Sequence, residues 1–169
     1  MTDRLWAPWR IGFLVGPKEP GCFLCAAANP PSDRPEADHE ALVLEHGRRC
    51  LVIMNRYPYT NGHLMIAPRA HEGEFTNLDD ETLTEVGQLT RVWIGVLREV
   101  MRPAGLNIGW NLGECAGAGV ADHLHQHIVP RWNGDHNFMS TCADTRMINQ
   151  SLEEAWHLLT AARARAPRS

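Results

Sequence analysis

His123, His125 and His127 occupy alternate positions in the stretch DHLHQHIVPRW, residues 122–132. Imidazole ligates metals, attacks electrophiles and moves protons near neutral pH. The spacing is that of a strand, on which residues i, i+2 and i+4 share one face. At a rise of ~3.3 Å per residue the outer two backbones stand roughly 13 Å apart, while zinc–nitrogen bonds are only ~2.1 Å. Two neighbours can share a metal; three on one ion require strained rotamers. Separate jobs follow. A charged ring lowers its neighbour's pKa, which keeps at least one ring neutral near pH 7. A neutral imidazole is a nucleophile and a charged one a donor, a pairing suited to covalent phosphoryl or nucleotidyl transfer. Three polar rings on one face are costly to bury without such a purpose, which argues against a purely structural run.

Just ahead of this strand lies GECAGAG, residues 113–119. Successive backbone N–H groups in such a loop form an anion-binding nest, although Gly117 and Gly119 serve equally well as turn formers. The loop lacks the Gly-Lys-Ser/Thr of a P-loop, which excludes a Walker-type ATPase. Cys22 and Cys25 form a C-x-x-C pair whose next candidate ligands are distant in sequence, so it is not a compact zinc finger. Cys50, Cys115 and Cys142 have no partner pattern and read as packing residues. His39, His46 and His157 lie in polar or helical contexts and read as solvated. Trp6 and Trp9 read as anchors of an N-terminal arm.

The elements that must position these groups are legible in outline. Residues 1–21, rich in Trp, Pro and Gly, read as an ordered arm, and 27–40 as an exposed loop. Strands are expected over 40–47, 49–58, 62–69, 105–112 and 121–130. Between the third and fourth, Leu83, Val86, Leu89, Trp93, Val96, Leu97 and Val100 recur at helical spacing, so 76–101 reads as a helix capped by Thr76 or Asn77. A second helix is expected at about 151–166, its basic end suiting the helix dipole. Hairpins with one long helical crossover imply an α+β fold with a mostly antiparallel sheet, and the order excludes a doubly wound fold.

The chain has 169 residues, enough for one domain. Its net charge of −4 argues against a general nucleic-acid or membrane-surface binder. No apolar run reaches the ~18–20 residues needed to span a bilayer. The start MTDRLWAPWR has no signal-peptide core, so a cytoplasmic location with reduced thiols is expected.

HLHQHIV resembles the signature of the histidine-triad (HIT) family, His-φ-His-φ-His-φ-φ with φ apolar; Gln126 departs from the strict pattern, as in some bacterial members. NRYPYTNGHLMIAPRAH, residues 55–71, resembles the family's upstream Asn-x-x-Pro-x-x-x-Gly-His segment. RLWAPWR and VPRWNGDHNFM resemble the bacterial branch that includes diadenosine tetraphosphate phosphorylases. The likeness spans roughly residues 20–135.

The resemblance implies a five-stranded, mostly antiparallel sheet with two main helices in one domain covering 1–169, usually as a homodimer. It implies that His125 attacks the α-phosphorus of a nucleotide or dinucleoside polyphosphate to form a nucleotidyl-histidine intermediate. His127 would contact phosphate and assist the leaving group, and His63 would support the site from behind. Asn55 would bind ribose hydroxyls, while Asn111 and the loop Gly117, Ala118 and Gly119 would hold phosphates. No metal is implied in the chemistry itself. Many zinc-containing members use a set matching Cys22, Cys25, His71 and His123, which implies a structural zinc. Four residues before the first triad histidine, eukaryotic dinucleoside triphosphate hydrolases carry a phosphate-touching Gln; this chain has Gly119, which tilts the acceptor toward inorganic phosphate over water. An adenosine phosphoramidate hydrolase would use the same histidines, and a non-catalytic nucleotide-binding module would need only the pocket.

Overall fold

A computed structural model describes residues 21–34, 36–135 and 150–166. Trp6, Trp9, Cys142 and the arm expected over 1–21, Gly21 apart, lie outside the described residues. Five strands form one sheet in the order β1-β2-β3-β5-β4, with every neighbouring pair antiparallel. They are β1 (Val43–His46), β2 (Cys50–Met54), β3 (Leu64–Pro68), β4 (Gly105–Trp110) and β5 (Gln126–Arg131). Two long helices, α3 (Asp80–Met101) and α4 (Leu152–Arg165), cover one face; two short ones, α1 (Phe23–Ala28) and α2 (Ala37–Ala41), precede the sheet. The expected α+β architecture is the observed one.

The sheet carries a core on each face. On one, Val52, Met54, Leu64, Ile66 and Ile128 pack against Val86, Leu89, Trp93, Val96 and Leu97 of α3 and Ala155, Leu159 and Ala162 of α4. On the other, Leu51, Ile53, Met65 and Ala67 meet Leu24, Ala27 and Ala28 of α1. Strands β2 and β3 are therefore buried at every position, which explains their continuous apolar runs.

Local departures from expectation have local causes. Helix α1 falls in what reads as arm and loop: six residues are too short to show a period, and packing of Leu24 and Ala28 stabilises it instead. Residues 37–41 likewise form α2, so β1 begins three residues later than expected. The cap of α3 is Asp79, whose carboxylate accepts from Thr82 N–H, rather than Thr76 or Asn77, which lie in a separate 3-10 turn (Phe75–Asn77). Helix α4 starts with a reciprocal capping box between Ser151 and Glu154. Strand β5 begins only at Gln126, so His123 and His125 stand on the approach to the strand rather than on it.

Candidate active site and metal cluster

The chain around the triad is held from both sides. Leu124 N–H donates to Glu72 O at 2.7 Å, and Gly73 lies so close to 121–122 that a Cβ there would sit 3.0 Å from Ala121 O and from Asp122 Cα. Pairing of β3 with β5 sets Met65 opposite His127. Between the histidines, Leu124 is buried and Gln126 points toward α3, its Oε1 2.6 Å from the Thr90 hydroxyl, which donates to Val86 O at 2.7 Å. The Thr90 hydroxyl thus stands between two acceptors, the Gln126 side-chain oxygen and the Val86 carbonyl. The half-buried Gln126, the polar departure from the expected pattern, thereby has a partner on α3.

All three triad rings and His63 are buried, and their partners assign their protons. Nδ1 of His125 faces the carbonyl oxygen of His123 at 2.9 Å, so it carries the hydrogen and leaves Nε2 with its lone pair. Burial holds the His125 pKa below the ordinary imidazole value, against the opposing pull of that hydrogen bond. Tyr59 N–H donates to His63 Nδ1 at 3.1 Å, so His63 is protonated at Nε2, which donates to His127 Nδ1 at 2.9 Å. His127 therefore carries its proton on Nε2. The His125 and His127 rings meet edge to face, centroids 4.9 Å apart. Two buried imidazoles thus stand side by side in opposite tautomers, His125 offering a lone pair at Nε2 and His127 an N–H.

The structure brings most of the sequence candidates together. Asn111 Nδ2 donates to Gly117 O at 3.4 Å and lies 3.4 Å from His127 Nε2, a close approach of two N–H groups rather than a hydrogen bond, which sets the glycine loop beside the triad. Gly117 has φ +89°, a conformation suited to glycine, while Gly119 is exposed and Ala118 half-buried. Asn55 has a structural task as well: its Oδ1 accepts from Tyr57 N–H at 2.8 Å. Tyr59 was not singled out by sequence reasoning, yet its ring stacks on His63 at 4.7 Å and its N–H fixes that ring's tautomer. Its position four residues before His63 was the available signal.

On the other side of His123, four ligand groups converge. Cys22 Sγ and Cys25 Sγ lie 3.2 and 3.5 Å from His123 Nδ1, and Cys25 Sγ lies 3.2 Å from His71 Nδ1. A tetrahedral ion with Zn–S ~2.3 Å and Zn–N ~2.1 Å spaces its S and N ligands by roughly 3.6 Å, so the set fits once these contacts open slightly. His123 Nε2 donates to Pro68 O at 2.8 Å, which turns the Nδ1 lone pair toward the thiols. Desolvation, then the adjacent Cys22, push the Cys25 thiol up, and a bound cation would relieve both. Of the remaining thiols, Cys50 is buried as expected, whereas Cys115 is exposed and not a packing residue.

The HIT domain family model matches residues 36–134. AP-4-A phosphorylase of Mycobacterium tuberculosis is 38% identical over 98% of this chain and 86% of its own length. A zinc-bound histidine triad family protein from Mycobacterium smegmatis superposes with TM-score 0.66 and 28% identity, covering 85% of this chain and 94% of that one. Plasmodium falciparum diadenosine triphosphate hydrolase, at 17% identity and TM-score 0.57 over 85% of this chain and 95% of its own, shares the fold. The chain belongs to the HIT domain family.

Proposed function

We propose that this HIT-family enzyme cleaves a dinucleoside polyphosphate of the diadenosine tetraphosphate type through a covalent nucleotidyl-histidine. The opposed tautomers of His125 and His127 carry the reading. Nε2 of His125 attacks the α-phosphorus, the bond to the bridging oxygen breaks, and His127 Nε2–H stabilises the departing oxygen. His63 holds the His127 tautomer. Asn55 binds ribose hydroxyls, and Asn111 with Gly117, Ala118 and Gly119 holds the phosphates. An acceptor oxygen then attacks the same phosphorus and returns His125 to its free form.

Inorganic phosphate is the acceptor we favour. Gly119 leaves only backbone at that position, and the likeness to AP-4-A phosphorylase over nearly the whole chain supports this choice. Cys22, Cys25, His71 and His123 hold a structural zinc, consistent with the zinc-bound structural relative and with a reducing, cytoplasmic setting. The exposed β4, with Ile108 and the nearby Leu112 facing outward, is where a second copy pairs in a homodimer. Among the described residues no helix is long and apolar enough to cross a membrane.

The deciding experiment incubates the protein with diadenosine tetraphosphate, with and without inorganic phosphate. ADP plus ATP formed only with phosphate is the expected result. AMP plus ATP without phosphate makes it a hydrolase, and turnover of adenosine phosphoramidates alone makes it a phosphoramidate hydrolase. Tight nucleotide binding without turnover, unchanged in His125→Ala, would reduce it to a binding module.

A further inference from the structure

A second group of ligand atoms lies far from the triad in function, at the surface where α2 meets the start of α4. His39, Glu153 and His157 bring their ring nitrogens and carboxylate within 4.8 Å of one another. His39 Nε2 is 2.8 Å from Glu153 Oε2, and His157 Nε2 is 2.9 Å from Glu153 Oε1. These two histidines are therefore not simply solvated, as the sequence context implied.

The arrangement is built rather than incidental. Glu153 and His157 are one turn apart on the same face of α4. The His39 ring packs on Trp156 at 4.4 Å between centroids, and Trp156 also meets His157 edge to face at 5.1 Å. Trp156 is itself pinned, its Nε1–H donating to Val43 O at 2.9 Å. The platform that orients both imidazoles is thus tied to β1.

Two imidazoles and one carboxylate are a donor set for first-row transition ions, and a poor one for calcium or magnesium, which take oxygen. Neighbouring ligands around an octahedral ion with bonds of ~2.1 Å are roughly 3 Å apart, close to both nitrogen–oxygen separations here. We propose that His39, Glu153 and His157 form a second metal site for a divalent transition cation such as nickel or zinc. Each neutral ring carries its proton on Nδ1 in the bound form and offers Nε2. The carboxylate supplies one charge, and water fills the open positions. Bound metal would staple α2 to α4.

The test is a calorimetric titration of untagged, zinc-loaded, full-length protein with nickel ion at pH 7.5. One saturable equivalent beyond the zinc is expected. His157→Ala and Glu153→Gln, both exposed positions that leave the core untouched, should each weaken it at least tenfold. His46→Ala, removing a neighbouring histidine that pairs with Asp38 at 2.8 Å, should leave it unchanged. The first turn of α4 should also gain amide-exchange protection with nickel. Absence of a one-equivalent event, or an event whose affinity falls less than tenfold in either variant, overturns the proposal; nickel entering the cysteine cluster would show as the latter.

Discussion

The carbonyl oxygen of His123 accepts from Nδ1 of His125 at 2.9 Å, while the His123 ring faces Cys22 and Cys25. One residue therefore joins the Cys22, Cys25 and His71 group through its side chain and sets the tautomer of His125 through its backbone. On the proposed reading, with zinc in the cluster, removing the metal would free the His123 ring and loosen the peptide that orients His125. Chelation, or Cys22→Ser, should lower kcat by about 10–100-fold, the range typical of lost support around a metal ligand. Metal content and turnover measured on the same samples check this. Full activity in metal-free protein would uncouple the two sites.

His63 passes an orientation from the Tyr59 backbone to His127. Glutamine can copy this, because its Oε1 accepts and its Nε2 donates at nearly the separation of the two ring nitrogens. His63→Gln should keep most of kcat, whereas the apolar, similarly sized His63→Leu should lose roughly 10²-fold, the usual scale of a misplaced acid–base group. KM should change little in both. Equal loss in the two variants would show that the ring itself, and not its hydrogen-bond polarity, matters.

The sequence disclosed the parts with a period or a fixed spacing. The stripe from Val86 to Leu97 and the helix expected at about 151–166 follow local geometry, and both helices stand where their pattern puts them. What it hid depends on tertiary context. Helix α1 exists because Leu24 and Ala28 find the second core, which no six-residue window reveals. The start of β5 at Gln126 is set by pairing with β3, so the strand face assumed for His123 and His125 is really a bent approach. The convergence of His39 on Glu153 and His157 spans more than a hundred residues of sequence and left no local trace.

Burial depresses the His125 pKa, and this fixes a sign. The unfolded imidazole titrates near 6.5, so between that value and the lower folded one the unfolded chain binds more protons. This residue's effect on stability is nil above 6.5 and becomes a loss as pH falls through that window. The nucleophile likewise remains neutral past 6.5, so the acid limb of kcat/KM should have its midpoint below 6.5. A pH–rate profile checks this, and a midpoint at or above 6.5 would contradict it.

Thiol chemistry should separate two cysteines cleanly. Desolvation pushes the Cys50 thiol up to about 12, and the residue is fully buried. Cys115 is exposed in the glycine loop. Iodoacetamide at pH 8, with zinc protecting Cys22 and Cys25, should label Cys115 within minutes and leave Cys50 unmodified until the protein unfolds. Peptide mapping by mass spectrometry reads this directly, and early labelling of Cys50 would show that the sheet opens far more readily than its packing implies.

Glu45 is the polar joint between the sheet and both long helices. Its Oε2 accepts from Trp93 Nε1 on α3 at 2.8 Å, and Arg163 on α4 donates to Oε2 at 2.8 Å and to Oε1 at 2.6 Å. Both charged partners are largely buried, with side-chain exposures of 16% for Arg163 and 21% for Glu45. Glu45→Ala leaves a guanidinium and an indole N–H without their acceptor in a poorly solvated place, which costs about 3 kcal/mol. For a chain of this length that corresponds to a fall in Tm of roughly 6–12 °C. Glu45→Gln keeps one acceptor oxygen and loses the charge, so it should fall in between. The double variant Glu45→Ala with Arg163→Met should recover part of the loss, because no buried charge is then left unpaired. Thermal unfolding of the three variants decides it, and a Glu45→Ala protein as stable as the parent would show that water replaces the carboxylate at this joint.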